Sequence, residues 1–555
     1  MLMTSPTTRQ PGLAAETDRA ALPWGAVLLC IALWLGVGLF GREPYKPDEA
    51  YTVGLVKSVV DSGDWVVPRL VGEPFMEKPP LFFDAAAVFA KALPGWPLHE
   101  AARLAVLLFS GVGLLALAAA GRALYGAGAG RLAALLALST LGAVAHMHQL
   151  ITDVALFAGV SVGLLGLILA PERPRLGGIA LGAGVAVSLL SKGLLGPGML
   201  GFTTLALMAL RPWRGRFIVP MVAWAVVVAL PLVACWLVPL ALRAPDQFHV
   251  WLFDNNLGRF FNLNELGPKK DLLFYVQTLV WFALPCWPLA LFGLWRTWRD
   301  ERPIEAKMRE APPLLFLAIG MAVLTLASDG RELYALILVP AFALAATGGL
   351  LAMPLRRERG IALGAAGALV LLAGVLLVTW VLAMRTPGFT SSLPKAVAQP
   401  AMLAPSVAAM GVYVLVVLSV IVLLARLRQP FRGALPFAFA AGITLVWASL
   451  TLPWGTYLDS LKGYRAVALA LAAQLPGDRQ CIASRGLGEG ERALFDYFVG
   501  LRTRRIESDP SAAQCDVLLV QSLTGTDNAL PLPWRQQWQG ARAGFDGSGF
   551  HLYRR

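Results

Sequence analysis

The sequence predicts a mainly α, polytopic membrane fold of about thirteen transmembrane helices, followed by a small C-terminal α/β domain. Three observations carry that expectation. Of 555 residues, 57% are hydrophobic and only 15% charged, where soluble domains carry about 25% charged residues; the mean hydropathy is +0.64. Apolar runs recur near 23–40, 103–120, 131–149, 151–170, 176–191, 193–210, 217–240, 272–295, 313–328, 332–353, 361–384, 404–425 and 433–453. Each is long enough, or nearly so, to cross about 30 Å of hydrocarbon as a helix. Residues 455–555 then return to an ordinary soluble composition.

Taken in order, residues 1–22 are polar and carry Arg9 and Arg19 without a long apolar core, which reads as a cytoplasmic tail and not a cleavable signal peptide. The transmembrane domain runs over 23–454. Its basic loops, Arg122 to Arg131, Arg173/Arg175, Arg211/Arg214/Arg216, Arg296 to Arg309, Arg356/Arg357/Arg359 and Arg426/Arg428/Arg432, follow the positive-inside pattern. They account for much of the net charge of +13, which need not imply nucleic acid. Placing them inside puts the loops 41–102, 239–271 and 385–403, and the C-terminus, outside. This topology requires that 81–93 not cross, and as a stretch too short for a span it reads as a juxtamembrane or re-entrant helix. The outer segments 48–62 and 245–262 read as amphipathic helices at the membrane surface. In 455–555, helix-like SLKGYRAVALALAAQL is followed by strand-like CDVLLVQS and FHLYRR, so an outer α/β domain is expected. Cys481 and Cys515 are its two cysteines. An oxidising bacterial compartment permits a disulfide between them, but spacing does not reveal the geometry.

The charged residues are sparse and gather on the predicted outer side. Asp48 and Glu49 directly follow the first span, and Glu77-Lys78-Pro79-Pro80 follows about thirty residues later. Ionisable groups beside a membrane are costly unless solvated or used, so they mark a candidate site. Asp48 and Glu49 are the candidate catalytic carboxylates, able to act as base, to orient an acceptor or to bind metal. The bland alternative is a helix N-cap, with Glu49 favouring the positive helix end. Lys78, held by two prolines, suits a phosphate oxygen; otherwise it is a snorkelling anchor. Asp153, Lys192, Arg259, and Arg331 with Tyr334 fall at span ends on the same predicted side, and together with the loop residues they gather cations and carboxylates on one membrane face. His146 and His148, two apart, fall on different sides of a helix. Glu77 with His249 is a conceivable metal pair across loops. No cofactor is required, and a divalent metal remains open.

At these residues the chain resembles the GT-C membrane glycosyltransferases, bacterial relatives of the protein O-mannosyltransferases and the lipid A 4-amino-4-deoxy-L-arabinose transferases. The resemblance is carried by Pro47-Asp48-Glu49, Ser62-Gly63-Asp64-Trp65-Val66-Val67-Pro68, Glu77-Lys78-Pro79-Pro80-Leu81, Ala102-Arg103-Leu104, Thr152-Asp153, Ser191-Lys192-Gly193 and Arg331-Glu332-Leu333-Tyr334 with Val339-Pro340. It implies an undecaprenyl-phosphate-linked sugar as donor, the phosphate as leaving group and an outer-face cavity in a bacterial inner membrane. Asp48 would be the catalytic carboxylate and Lys78 the donor-phosphate contact, helped by Tyr334, Arg259 and Lys192; Asp153, Tyr51, Glu77 and Arg331 would line the sugar or acceptor side, with lipid A or another envelope glycolipid as acceptor. A protein hydroxyl is the alternative acceptor, and a lipid or sugar transporter the alternative class. The chain departs from the aminoarabinose transferases where they carry an Arg close after Asp-Glu: Tyr51 and Thr52 stand here. The run before Tyr334 is also altered, to Ser328-Asp329-Gly330-Arg331.

Overall fold

The computed structural model describes residues 22–258, 270–327, 329–386, 404–523, 533–542 and 548–555. All thirteen apolar runs contain helix. Among the described residues nine helices are long and apolar enough to cross a membrane, and a tenth span is possible if Phe274–Phe282 and Cys286–Arg299, bent by 96°, count as one. Three runs yield only short apolar helices: Trp24–Gly36, Ala129–Ser139 and Leu195–Ala209. The nine long helices, the bent pair and the three shorter apolar helices together take up the thirteen apolar runs of the sequence. The segment Leu81–Ala92 is a 12-residue helix outside the spanning set.

Burial separates two kinds of span. The 31-residue helix Leu355–Arg385 leaves Leu371, Val375 and Val378 at least half exposed, as a lipid-facing helix must. Thr152–Leu169 is instead enclosed by its neighbours. It packs closely along Pro174–Lys192 through small residues: a Cβ on Gly166 would stand 2.4 Å from the Leu181 nitrogen, and one on Gly184 2.4 Å from the Gly163 nitrogen. Small residues permit such backbone approach where lipid supplies no hydrophobic drive between helices. Because the two helices form a hairpin, the start of the first and the end of the second lie at the same face. Asp153 and Lys192 occupy those positions.

Loop 41–102 builds the same face. Asp48–Ser62 is a helix buried along most of its length. A two-residue antiparallel ribbon, β1 (Arg69–Leu70) with β2 (Glu73–Pro74), leads from it to the Glu77-Lys78-Pro79-Pro80 element. In the segment 245–262, Pro245–His249 is α-helical and Val250–Gly258 π-helical. Asn256 Oδ1 accepts the Leu194 N–H at 3.0 Å, tying this segment to the end of the Lys192 helix.

The C-terminal region forms a five-stranded mixed sheet of order β4-β3-β5-β7-β6, where β3 is Ile482–Arg485, β4 Arg504–Arg505, β5 Val517–Leu523, β6 Arg535–Ala541 and β7 Ser548–Arg554. β3 runs parallel to β4 and β5, and β7 antiparallel to β5 and β6. Cys481 and Cys515 are disulfide-bonded, with Cα atoms 4.9 Å apart. The helix Glu489–Val499 joins β3 to β4 and packs directly on the Asp48 helix. An added Cβ on Gly54 would lie 2.8 Å from Ala493 Cβ, so the two helices touch where a side chain is missing.

Candidate active site

Asp48 begins its helix, but its side chain does not cap it: Pro47 holds the N-cap position and no side-chain cap bond forms. The carboxylate instead accepts the Tyr51 hydroxyl at 2.5 Å, one helical turn on. Lys78 Nζ lies 3.4 Å from Asp48 Oδ1 and also bonds the Tyr51 hydroxyl oxygen, with its ammonium 4.7 Å from the Tyr51 ring centre. Arg331 Nη1 is 3.5 Å from the same Asp48 oxygen. One carboxylate oxygen thus faces two cations and a phenol. Asp48 and Lys78 are buried, whereas Arg331 keeps 40% of its side chain exposed, so the cluster opens on the Arg331 side.

The second half of the site stands on the glycine-packed hairpin. Lys192 is paired with Asp153 and lies 4.3 Å from the ring centre of Tyr334, whose hydroxyl donates to Asp329 at 3.1 Å. A cation at a helix C-terminus and an anion at a helix N-terminus are each favoured by the helix dipole. Lys192 and Asp48 are close enough to influence each other's charge, as are Glu77 and Arg331. Asp48, Tyr51, Lys78, Arg331, Glu77, Asp153, Lys192 and Tyr334, scattered over almost three hundred residues, are therefore neighbours in space.

Electrostatics set the protonation of the outer half. Burial pushes the Asp48 carboxyl upward, but Lys78, the Tyr51 hydroxyl, Arg331 and Lys192 together outweigh it and hold Asp48 below its ordinary value. Burial, then the charges of Asp48 and Glu77, push the Tyr51 phenol well above its ordinary value, so it remains a donor to Asp48. The arrangement is an ionised carboxylate with more cationic than anionic neighbours at its oxygen, which suits an incoming anion.

Glu49 is placed elsewhere. It was expected to share the site with Asp48, but both its oxygens are taken by Arg42, at 2.6 and 2.7 Å. It also accepts the backbone N–H groups of Tyr45 and Leu150 at 3.1 and 3.0 Å, with Arg103 at 3.8 Å. Arg42 in turn donates to the His148 carbonyl, and Arg103 to the Arg42 carbonyl. Consecutive helical residues point about 100° apart, so two adjacent carboxylates enter different networks. Arg42 was not foreseen, although a lone Arg just before the Asp-Glu pair was the available signal.

His249 packs on Phe253 with ring centres 4.7 Å apart, and among the described residues no group of three or more His, Cys, Asp or Glu could hold a metal ion. His148 bonds the Trp34 and Val144 carbonyls through its two ring nitrogens, and His146 stacks on Phe282. Arg259 lies outside the described residues.

Fold and site together define a polytopic membrane protein with a carboxylate and clustered cations at one end of the helix bundle. The particular likeness is to aminoarabinose transferases. The structure of ArnT from Cupriavidus metallidurans bound to undecaprenyl phosphate matches with a TM-score of 0.69 at 18% identity, over 95% of this chain and 97% of that one. The apo form of the same protein matches at 0.67. In sequence, the chain is 28% identical over 327 residues to undecaprenyl phosphate-alpha-4-amino-4-deoxy-L-arabinose arabinosyl transferase 1 of Pseudomonas fluorescens (strain Pf0-1), covering 57% of this chain and 55% of the relative. The corresponding transferase of Serratia proteamaculans (strain 568) is 27% identical over 292 residues, covering 50% and 51%. The aligned region spans about half the length of these relatives. A family model described as dolichyl-phosphate-mannose-protein mannosyltransferase matches residues 77–238.

Proposed function

We propose that this protein is an inner-membrane glycosyltransferase that moves a sugar, 4-amino-4-deoxy-L-arabinose by preference, from undecaprenyl phosphate to lipid A or another envelope glycolipid at the periplasmic face. The observation that carries the proposal is the Asp48 carboxylate set between Lys78, Tyr51 and Arg331 in a fold of this kind. In the reaction, the bond from the anomeric carbon to the donor phosphate oxygen breaks and a bond to an acceptor oxygen forms. The departing undecaprenyl phosphate gains negative charge, and Lys78 and Arg331 stabilise it; Lys192 is the further cation within reach. Cations fixed before the reaction contribute most where charge develops, because they need not reorganise.

Asp48 distinguishes the acceptors. A hydroxyl must lose a proton to a base, and a carboxylate held below its ordinary pKa is a weak one. A phosphate acceptor is already ionised and needs only orientation and balance of charge. This favours a phosphate-bearing lipid over a protein hydroxyl, the acceptor that the mannosyltransferase likeness would suggest. Mass spectrometry of lipid A and total glycolipids tests the reading, comparing cells with the protein, without it and with Asp48→Asn. The expected result is one aminopentose increment on lipid A, lost in both other strains. An increment of another sugar would revise the donor, and a glycoprotein increment the acceptor. No increment on any glycan, with the protein folded and in the membrane, would overturn the transferase reading.

A further inference from the structure

The helix Glu489–Val499 supplies no reacting group to the proposed transfer, yet its contacts converge on both strands of the Asp48–Lys78 pair. Glu491 is buried, with 1% of its side chain exposed, and is paired with Lys46. It also accepts the Tyr464 hydroxyl at 3.1 Å and the Gln521 amide at 2.9 Å. Lys46 is separated from Asp48 only by Pro47, whose ring removes the freedom that would let one shift without the other. The Lys46 ammonium also lies 5.7 Å from the Tyr464 ring centre, and an added Cβ on Gly490 would stand 3.2 Å from Lys46 Cγ. On the other strand, Arg492 and Arg505 hold Glu73 at 3.0 and 3.4 Å, in the ribbon just before Lys78. Farther along the Asp48 helix, Lys57 lies 3.5 Å from Asp496.

We propose that Glu491 is a positioning residue: through Lys46 it sets the Asp48 carboxylate against Lys78, making the C-terminal region part of the catalytic apparatus without touching substrate. The physical argument is one of order. Lys46 is part exposed and stands just before Pro47, the N-cap of a helix that has no side-chain cap bond, so Glu491 is the fixed partner that holds the chain entering the Asp48 turn. Glu491 is itself held by two further donors, Tyr464 before the helix Arg465–Ala472 and Gln521 on β5, so the anchor is rigid where the anchored residue is not. A misplacement of about 1 Å at a reacting group can cost on the order of a hundredfold in rate. The proposal rests on the transferase reading for its kinetic consequence, but not for its structural one.

The test uses the full-length protein in detergent or nanodiscs, with Glu491→Gln and Glu491→Ala, and with Arg554→Ala, whose ion pair is with Asp478, as control. Three quantities are read: kcat per folded molecule, undecaprenyl-phosphate affinity, and hydrogen exchange of residues 46–52. The expected result is faster exchange in 46–52 for both Glu491 variants. With it, kcat falls about tenfold for Gln and on the order of a hundredfold for Ala, while undecaprenyl-phosphate affinity and the Arg554→Ala enzyme stay near wild type. Unchanged exchange, or a kcat per folded molecule equal to wild type while only the melting temperature falls, would overturn the proposal. Should the wild type transfer no sugar while exchange still responds to Glu491, the transferase reading fails and the anchoring stands.

Discussion

Asp48 and Glu49 are neighbours in the chain, equally acidic and both buried, yet they belong to different parts of the molecule. Asp48 meets two cations at the edge of an opening, one of them 40% exposed. Glu49 is enclosed by Arg42, Arg103 and two backbone N–H groups. The first environment leaves charge available to a ligand; the second leaves none. The difference teaches that saturation of partners, more than acidity or burial, separates a carboxylate able to react from one that holds the fold.

The largest effect that would break this contrast is on rate. Asp48→Asn keeps the shape of the side chain and removes the charge that balances Lys78 and Arg331, so transfer per folded molecule should fall about a thousandfold, measured as turnover of an undecaprenyl-phosphate sugar. A comparable loss of activity per folded molecule in Glu49→Gln would erase the distinction. Glu49→Ala should act on stability instead. Removing one partner of a buried ion pair costs about 3–5 kcal/mol, and here Arg42 and Arg103 would be left facing each other. Thermal unfolding in detergent measures it, and an unchanged transition would contradict the assigned role.

Acid sharpens the same contrast. Burial pushes Glu49 up, but Arg42, Arg103 and the Leu150 N–H overcome it and bring its pKa to about 2, from an ordinary 4.5. A depressed carboxyl contributes stability that is full above its unfolded pKa and is lost as pH falls toward its folded one. Unfolding free energy should therefore drop by about 3 kcal/mol between pH 4.5 and 2 in the wild type, and that part of the drop should be absent in Glu49→Gln. Lys78→Met comes next. Losing a charged hydrogen-bond donor to phosphate costs about 1.5–3 kcal/mol, so undecaprenyl-phosphate affinity should weaken roughly tenfold to a hundredfold by titration. The smallest effect is expected at Arg331→Ala: its solvent exposure screens the charge, and affinity should fall only a few fold, by roughly 0–1 kcal/mol.

How much of this was legible in sequence depended on the range of the interaction. The apolar runs, the non-crossing segment at 81–93, and the strands at 517–523 and 548–554 follow from local periodicity and composition. The helix Glu489–Val499 was missed because GEGERALFDYFV is polar at its start and buries that end through distant partners, the Asp48 helix with Lys46 on one side and Tyr464 and Gln521 on the other. Candidate residues were found one by one from charge beside apolar runs, which signals cost but not company.

By itself, then, the sequence determined that the chain enters a membrane, roughly where, and which few ionisable residues must be explained. Hydrophobic burial is a sum over local composition, so it can be read in one dimension. Only the tertiary structure decided that Asp48 joins Lys78 and Arg331 while Glu49 joins Arg42 and Arg103, and that Lys46 reaches Glu491 across more than four hundred residues. Pairing of charges depends on distance and direction in three dimensions, and a turn of about 100° between adjacent helical residues is enough to give two like side chains different partners.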